Sequence, residues 1–574
     1  MDDYTSIKDG LEAMNDRTLL AFKDKLEAPE FDEIGRDAVP AKWKVVEMCH
    51  AVIAERTMAT MRQKVAAVVN GRSLSVKGIL LKYLTLGMRL YIVTSIIEDS
   101  CRALLRPDYE TFTMMFEELA DAKECESERR FETTGPTMTK TFDLTIFGAT
   151  GFTGKFILTE VLKTAPAAFP GQKLHIAVAG RSRERLEKLI ASLPSNTEIH
   201  PEIIVADVQD EASMRAMCRA SKTLIAAAGP YRFLGEAVVK ACVQEQCHYV
   251  DITGEPEFFE GMALKYHAKA KEAQVSIVHV CGFDSIPADL GVLYTKQQLE
   301  KVHNALPSSI EMFFKLHVAG NAGFAGHYAT FESAVHGFGS AGLLRQLRRT
   351  ANRPQIPKIG PNLAVNPKPH WVHKVAAYTV PFFFADPSVI RLSQQLVLQD
   401  KDLASAQSPP VQFSAYICIP TFKALAATIF ASTVFGLLAK YEFGRKFLLK
   451  HPRLFTMGTF SHEGPSDQQL AETSFSETFF AQGFSKELRD KHPNVEDLRQ
   501  IKPDVSIVTS VSGPEPGYVA TPKLVVQACY TLLLQKDLVP NGVLTPAVAF
   551  GRTALIERLQ QQGIVFSTVQ EATK

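Results

Sequence analysis

The segment LTIFGATGFTG (144–154) sets Gly148, Gly151 and Gly154 three residues apart, directly after an apolar run and at the head of a helix-patterned stretch. A first glycine permits a tight turn, a second lets backbone approach a pyrophosphate, and a third allows close strand–helix packing. The helix start beyond offers unpaired N–H groups and a positive dipole end to phosphate oxygens. Thr150 and Thr153 add hydroxyl donors around Phe152, so Gly148, Thr150, Gly151, Phe152, Thr153 and Gly154 form the expected dinucleotide cradle. The spacing alone is common, and its place between strand and helix gives it weight. Glycines serving packing alone are the competing reading.

The next apolar run ends in AVAGRSRERL (177–186). An NAD-binding fold usually carries a carboxylate here for the ribose 2′-hydroxyl, whereas Arg181, Ser182 and Arg183 would pair with a 2′-phosphate. NADP(H) is therefore expected over NAD(H), with a solvated helix start as the plainer account of the arginines. Asp207 and Val208 follow the third run, where an adenine ring meets a polar and an apolar neighbour. Ala228, Gly229 and Pro230 close the fourth run at the sheet edge where ligands bind, although Gly229 and Pro230 are also ordinary turn formers.

Chemistry at that edge falls to Tyr231, Asp251 and Asp284, as proton-moving or orienting groups. Glu255 and Asp289 lie in the same strand-end segments, and each carboxylate alone is equally a cap or loop acceptor. His327 and His336 sit in a glycine-rich patch (320–342), where a structural role is the simpler reading. The one Tyr-x-x-x-Lys, Tyr4–Lys8, precedes the glycine loop, which disfavours the usual short-chain dehydrogenase chemistry. H-E-x-x-H, G-x-S-x-G and P-loop patterns are absent, so metal hydrolysis, serine hydrolysis and nucleoside triphosphate use lack support. The nine cysteines are scattered without a C-x-x-C pair, so no metal site and no disulfide framework is indicated.

These residues need elements to hold them. Short apolar runs at 142–147, 174–179, 203–207, 223–228, 247–252 and 275–281 alternate with amphipathic helices. That alternation predicts an α/β fold, a doubly wound parallel sheet with right-handed crossovers. Residues 141–290 are its expected span, and 291–574 are expected to form a mixed α/β second domain for substrate or dimerisation. There 505–511 reads as a strand, Thr521 as the cap of a helix, and 553–562 as a last helix ending at Gly563. Residues 1–140 read as a mainly helical extension, with apolar stripes at 45–53 and 78–97 and a polar linker at 121–140.

With 63 basic and 62 acidic residues in 574, the net charge of +1 leaves no basic footprint for nucleic acid. A mean hydropathy of −0.01 excludes a polytopic membrane protein. Neither terminus carries a recognisable address, so the chain is expected to face the cytosol. Yet 424–439 (ALAATIFASTVFGLLA) holds no charge and is followed by Arg445, Lys446, Lys450 and Arg453. As a helix it would measure about 24 Å, short of a bilayer core of about 30 Å. Contact with a membrane surface by monotopic or hairpin insertion is expected, with a buried core helix and a true span as the alternatives.

The stretches FGATGFTGKF, AVAGRSRERL, GPYRFLGEAVVKAC, DITGEPEF, GFDSIPADLGVLYT, ETSFSETFFAQGFS, GPEPGYVATP and VLTPAVAFGRTALIERLQQQGIVFS run in order from 141 to about 570. Together they resemble the saccharopine dehydrogenase-like oxidoreductases, a family related to bacterial trans-acting enoyl reductases. The resemblance implies a Rossmann domain, a mixed α/β second domain, and C-terminal helices returning to the nucleotide domain. It also implies a lipid-like substrate, glycolipid or other lipid metabolism, and a membrane or lipid-droplet surface reached through 424–439. A cytoplasmic-face location follows, with a mitochondrial one as the alternative, and a homodimer is a further expectation. One departure is Ala329-Thr330, where relatives tend to carry Gly-Thr.

The leading expectation is thus an NADP(H)-dependent oxidoreductase for a hydrophobic substrate. A non-catalytic membrane-associated Rossmann protein is the rival, and a saccharopine reductase-type enzyme the third reading.

Overall fold

Each of the six apolar runs is a strand, and each crossover is a helix. β1 (Phe142–Phe147) leads to α1 (Phe152–Ala168), β2 (Ile176–Gly180), α2 (Arg183–Ala191), β3 (Glu202–Val205) and α3 (Glu211–Ala220). Then follow β4 (Ser221–Ala226), α4 (Tyr231–Gln244), β5 (His248–Asp251), α5 (Pro256–Glu272) and β6 (Ser276–Val278). The computed structural model describes residues 140–194, 199–339, 341–400, 403 and 409–569. The extension expected over 1–140, with its stripes and linker, lies outside the described residues except for Lys140.

The helix α6 (Ile286–His303) leads into the second region. It continues through β7 (Leu306–Val318), β8 (Gly326–His327), α7 (Tyr328–Gly339), α8 (Ala341–Thr350), β9 (His370–Val372), β10 (Ala377–Pro381), α9 (Asp386–Gln399) and β11 (Gln412–Ile419). After these come α10 (Phe422–Ala439), α11 (Glu442–Lys450), β12 (Phe460–Ser461), β13 (Thr473–Phe484) and β14 (Val505–Pro514). The chain closes with α12 (Thr521–Leu534), β15 (Gly542–Leu544), α13 (Leu555–Gln561) and β16 (Val565–Val569).

The first sheet runs β15-β6-β5-β4-β1-β2-β3 with every pairing parallel. Helices cover it, so β1 reads FDLTIF with Leu144 and Ile146 fully buried, each worth about 1.5–3 kcal/mol of burial. Its edge strand β15 arrives from far along the chain. The second sheet, β16-β14-β13-β7-β11-β10-β9, is mixed, with β7 and β11 parallel and the long β13 antiparallel to both β7 and β14. Buried α6 packs on this sheet closely enough that a Cβ on Gly291 would come within 2.4 Å of the Phe479 ring.

Local chemistry explains several boundaries. Ser182 caps α2 by accepting from the Arg185 N–H, and Asp210 caps α3 by accepting from Ala212 and Ser213. Thr521, expected as a cap, acts otherwise. Its hydroxyl donates to the Pro516 carbonyl (2.9 Å) and accepts from the Phe283 N–H (3.0 Å). It thereby ties α12 to the loop after β6.

Candidate functional site

The switch in strand order lies between β1 and β4, and the glycine loop sits at their carboxyl ends. Gly148 has φ +83°, and a Cβ there would press on Ala227 C and Ala228 N at 2.9 Å. A Cβ on Gly154 would stand 2.2 Å from the Gly148 carbonyl, so α1 packs on the loop with no room to spare. Gly151 is the N-cap of α1, with no side chain capping the helix and no acidic residue in the first turn. The first N–H groups of α1, from Phe152, Thr153 and Gly154, therefore face outward as an anion cradle, and a pyrophosphate fits it. Thr150 and Thr153 are half-buried beside it.

At the end of β2, Arg181 is exposed and makes no hydrogen bond or ion pair among the described residues. Arg183 is exposed too, but stands 4.0 Å from Glu187 one helical turn on. The two arginines thus separate into a free cation and a surface pair. Asp207 shapes its own turn, its Oδ1 accepting from the Gln209 N–H (3.1 Å), and Val208 packs against the core. Ala228 and Pro230 are half-buried and Gly229 exposed at the end of β4, beside the cradle.

The three residues expected to move or orient a proton are placed differently from one another. Tyr231 is buried, and its hydroxyl donates to the Ala226 carbonyl (2.8 Å). Burial raises its pKa well above that of a free tyrosine, so the group does not face a substrate. Asp251 is also wholly buried. It accepts from the Tyr249 hydroxyl (2.8 Å) and the Val280 and Thr253 N–H groups (2.9 and 3.2 Å), with His279 Nδ1 at 2.7 Å. Asp251 clamps the strand-end loops together and is a positioning residue. Glu255 does similar work, accepting from the Tyr231 and Arg232 N–H groups, the Arg232 guanidinium and the Ser333 hydroxyl.

Asp284 is different. It keeps partial exposure in the loop after β6, next to Gly254, and burial of its carboxyl pushes the pKa up to about 6. Behind it lie Asp386, the first residue of α9, and Glu477, on the inner face of β13. Both are fully buried, and no carboxyl oxygen of either finds a hydrogen-bond partner. Burial is the main cause of their strongly raised pKa values, and the neighbouring carboxylates add to it. The group is thus a half-open acid backed by two enclosed ones whose ionisation burial disfavours. Sequence reasoning found Asp284 and missed the other two.

Three aromatic residues flank the glycine loop. Phe152 is stacked by His327 and met edge-on by Tyr518 at 5.0 Å, while the His327 N–H donates to the Tyr518 hydroxyl (2.7 Å). Glu515 holds the Tyr518 turn by accepting from the Gly517, Tyr518 and Val519 N–H groups. The histidine was legible only as part of a glycine-rich patch, and Tyr518 only within GPEPGYVATP.

Comparison with known proteins fits this geometry. Residues 144–278 match the family model "Saccharopine dehydrogenase NADP binding domain", which spans β1 to β6. A Rattus norvegicus "Saccharopine dehydrogenase-like oxidoreductase" is 39% identical over 442 residues, covering 75% of this chain and 98% of the relative. An Arabidopsis thaliana relative named "Probable mitochondrial saccharopine dehydrogenase-like oxidoreductase" is 34% identical, with 75% and 97% covered. A Caenorhabditis elegans relative named "Lipid droplet localized protein" is 33% identical, with 75% and 99% covered. The chain belongs to the saccharopine dehydrogenase-like oxidoreductase family, with a nucleotide domain of the NADP-binding type.

Proposed function

We propose that this chain is an NADPH-dependent reductase for a hydrophobic, lipid-like substrate, working at a membrane or lipid-droplet surface on its cytoplasmic face. The observation that carries the reading is α10. Its 18 residues form an apolar helix in which only Leu425 and Ala439 are buried, while Phe430 is 72% and Leu437 65% exposed. A core helix hides such side chains, and a helix of about 27 Å left open to solvent suits an interfacial lipid contact. The name of the Caenorhabditis elegans relative points the same way, and that of the Arabidopsis thaliana relative keeps a mitochondrial membrane as the alternative.

NADPH, when bound, supplies a hydride to an electrophilic carbon of the substrate. The glycine loop and the open N-terminus of α1 would hold its phosphates, and Arg181 would pair with the 2′-phosphate. Asp284 holds the proton that the reduced atom takes up. Once ionised, Asp284 regains a proton from solvent on its exposed side, while Asp386 and Glu477, whose ionisation burial disfavours, back it from within.

A second reading, a nucleotide-binding protein held at a lipid surface without turnover, is favoured by the placement of Tyr231 and Asp251 inside the core. One experiment separates the two. Wild type and Phe430→Glu are titrated with NADPH, floated with lipid droplets, and supplied with long-chain aldehydes and enones while NADPH oxidation is followed. Reduction of any long-chain carbonyl, lost in Asp284→Asn with NADPH binding kept, supports the reductase. NADPH binding and flotation with no oxidation across the panel supports the second reading. Unchanged flotation of Phe430→Glu counts against the lipid surface.

A further inference from the structure

The helices around α10 form a module with its own small core of Phe331 and Val335 from α7, Ala439 from α10 and Leu448 from α11. Phe435, Phe455 and Phe460 pack against it. A Cβ on Gly444 would stand 2.1 Å from the Leu438 carbonyl, so the turn between α10 and α11 is tight and the two helices are set against one another. The apolar surface does not stop at α10. Phe443, Phe447, Leu454 and Met457 are exposed beyond it, and the segment 440–453 carries five lysines and arginines against one glutamate.

Where that surface meets β12 there is a cavity of about 460 Å³. Its polar lining comes from Lys450, His451, Arg453, Ser461, His462 and Glu463, and Leu454 forms an apolar lip. That volume is in the range of small-molecule sites, and these polar groups converge on it from two separate segments. Lys450 makes no hydrogen bond or ion pair among the described residues. Among the described residues the Arg453 guanidinium is held only by exposed Glu463 at 2.7 Å, a surface pair worth little and easily exchanged. His462 is held in place by stacking on Tyr328 with ring centroids 4.1 Å apart. An unpaired ammonium, a releasable guanidinium and two imidazoles suit a compact anion with several acceptor oxygens, and Arg453 can meet it with two N–H groups. The neighbouring exposed Leu454 and Met457 suit the acyl chains that such an anion would carry.

We propose that this cavity is the headgroup site for a phosphomonoester phospholipid, of the phosphatidic acid class, in the surface that α10 contacts. The site rests on the lipid-surface reading above. Binding exchanges Glu463 for phosphate on Arg453 and adds Lys450, so the doubly charged monoester is selected over singly charged headgroups. The apolar helix gives attachment, and the cavity gives lipid identity.

The test uses the full chain and three vesicle types: phosphatidylcholine alone, with phosphatidic acid, and with phosphatidylserine at matched total charge. Wild type is expected to bind the phosphatidic acid vesicles ~10-fold or more tightly than the charge-matched ones. Lys450→Ala/Arg453→Ala should abolish that preference while keeping the residual apolar binding. Lys446→Ala, whose ammonium pairs with Glu442 outside the cavity, should keep it. NADPH titration of each variant reports that the fold is intact. Short-chain phosphatidic acid should displace wild type from the vesicles, which tests the site without any substitution. Equal binding to the two anionic vesicles, or a double variant that keeps the preference, overturns the headgroup site alone. Displacement by inorganic phosphate as effective as by the short-chain lipid also overturns it, in favour of a free-anion site. Absence of binding to every vesicle overturns both this site and the lipid-surface reading.

Discussion

The imidazole of His327 lies on the ring of Phe152, 4.3 Å between centroids and 14° from parallel. Phe152 is the first residue of α1, directly after the glycine cap, whereas His327 comes from the short strand β8 of the second region. Residues 175 positions apart thus share a wall of the dinucleotide cradle. Burial lowers the His327 pKa, so the ring that stacks is the neutral one. His327→Ala removes a stacked pair of about 0.5–1.5 kcal/mol and is expected to weaken NADPH binding about threefold to tenfold. Fluorescence titration measures it, and an unchanged Kd would separate the aromatic wall from the cofactor.

Arg181→Ala should weaken NADPH binding about tenfold to a hundredfold, the loss of a charge-assisted contact of about 1.5–3 kcal/mol. NADH binding should be unchanged. Arg183→Ala, which opens only a surface pair with Glu187, should leave both nearly unaltered. Parallel titrations with the two nucleotides decide it, and equal losses for both would remove Arg181 from the 2′-phosphate.

Gly154→Ala places a methyl 2.2 Å from the Gly148 carbonyl and 2.9 Å from Ala149 Cα. Backbone must move to admit it, which is expected to cost about 1–3 kcal/mol in denaturant unfolding and to abolish NADPH binding. A variant of wild-type stability and affinity would show the loop to be looser than this packing requires.

Asp284 predicts a pH effect of definite sign. Its carboxyl pKa is raised from 3.8 to about 6 in the folded chain, so its favourable contribution is complete below 3.8 and is lost as pH rises through 6. Asparagine does not ionise. Asp284→Asn should therefore gain stability over wild type from pH 5 to pH 8, by about 1–2 kcal/mol after allowance for its partial exposure, while reductase turnover falls. His248 acts oppositely, since burial lowers its pKa to about 4 and stability is lost as pH falls from 6.5 towards 4. Thermal melts across this range test the claim, and a variant-minus-wild-type Tm difference independent of pH would refute it.

Asp251→Ala leaves His279 and Tyr249 without their shared buried acceptor and frees the Val280 and Thr253 N–H groups. A loss of about 3–5 kcal/mol is expected, of the size seen when a buried charged partner is removed. Urea unfolding measures it. A full-stability variant lacking only turnover would return Asp251 to the reaction itself.

Much of the nucleotide half was legible because one physical signal repeats there. A strand covered on both faces needs an unbroken apolar run, and β1 falls on 142–147 as its residues require. The acid group was half legible. Asp284 stands in a strand-end segment that topology marks as an active edge, but Asp386 and Glu477 come from a helix start and a β-strand in the second region. The signal for Glu477 is present in TSFSETFFAQGF, where Thr473, Phe475, Glu477, Phe479 and Ala481 alternate inward, with one carboxylate among them. A charged residue in phase with a buried face is worth reading as chemistry. Asp386 carries no such signal, because an aspartate beside a proline is an ordinary helix start. For Tyr231 and Asp251 the choice between moving and orienting a proton was not legible, since position along a strand says which end a residue occupies and not which way its side chain turns.

The edge strand β15 has a consequence for how the chain is made. β15 pairs with β6, the His279 N–H donates to the Leu544 carbonyl, and α12 joins α1 through the Tyr530 hydroxyl and the Val161 carbonyl. During synthesis from the N-terminus, the glycine loop emerges almost four hundred residues before the last strand of its own sheet. Until then β6 is an open edge and the underside of α1 is bare. A product stopped between β6 and β15 carries every dinucleotide motif and still lacks the edge strand that completes their sheet, so the final segment finishes what the first one starts.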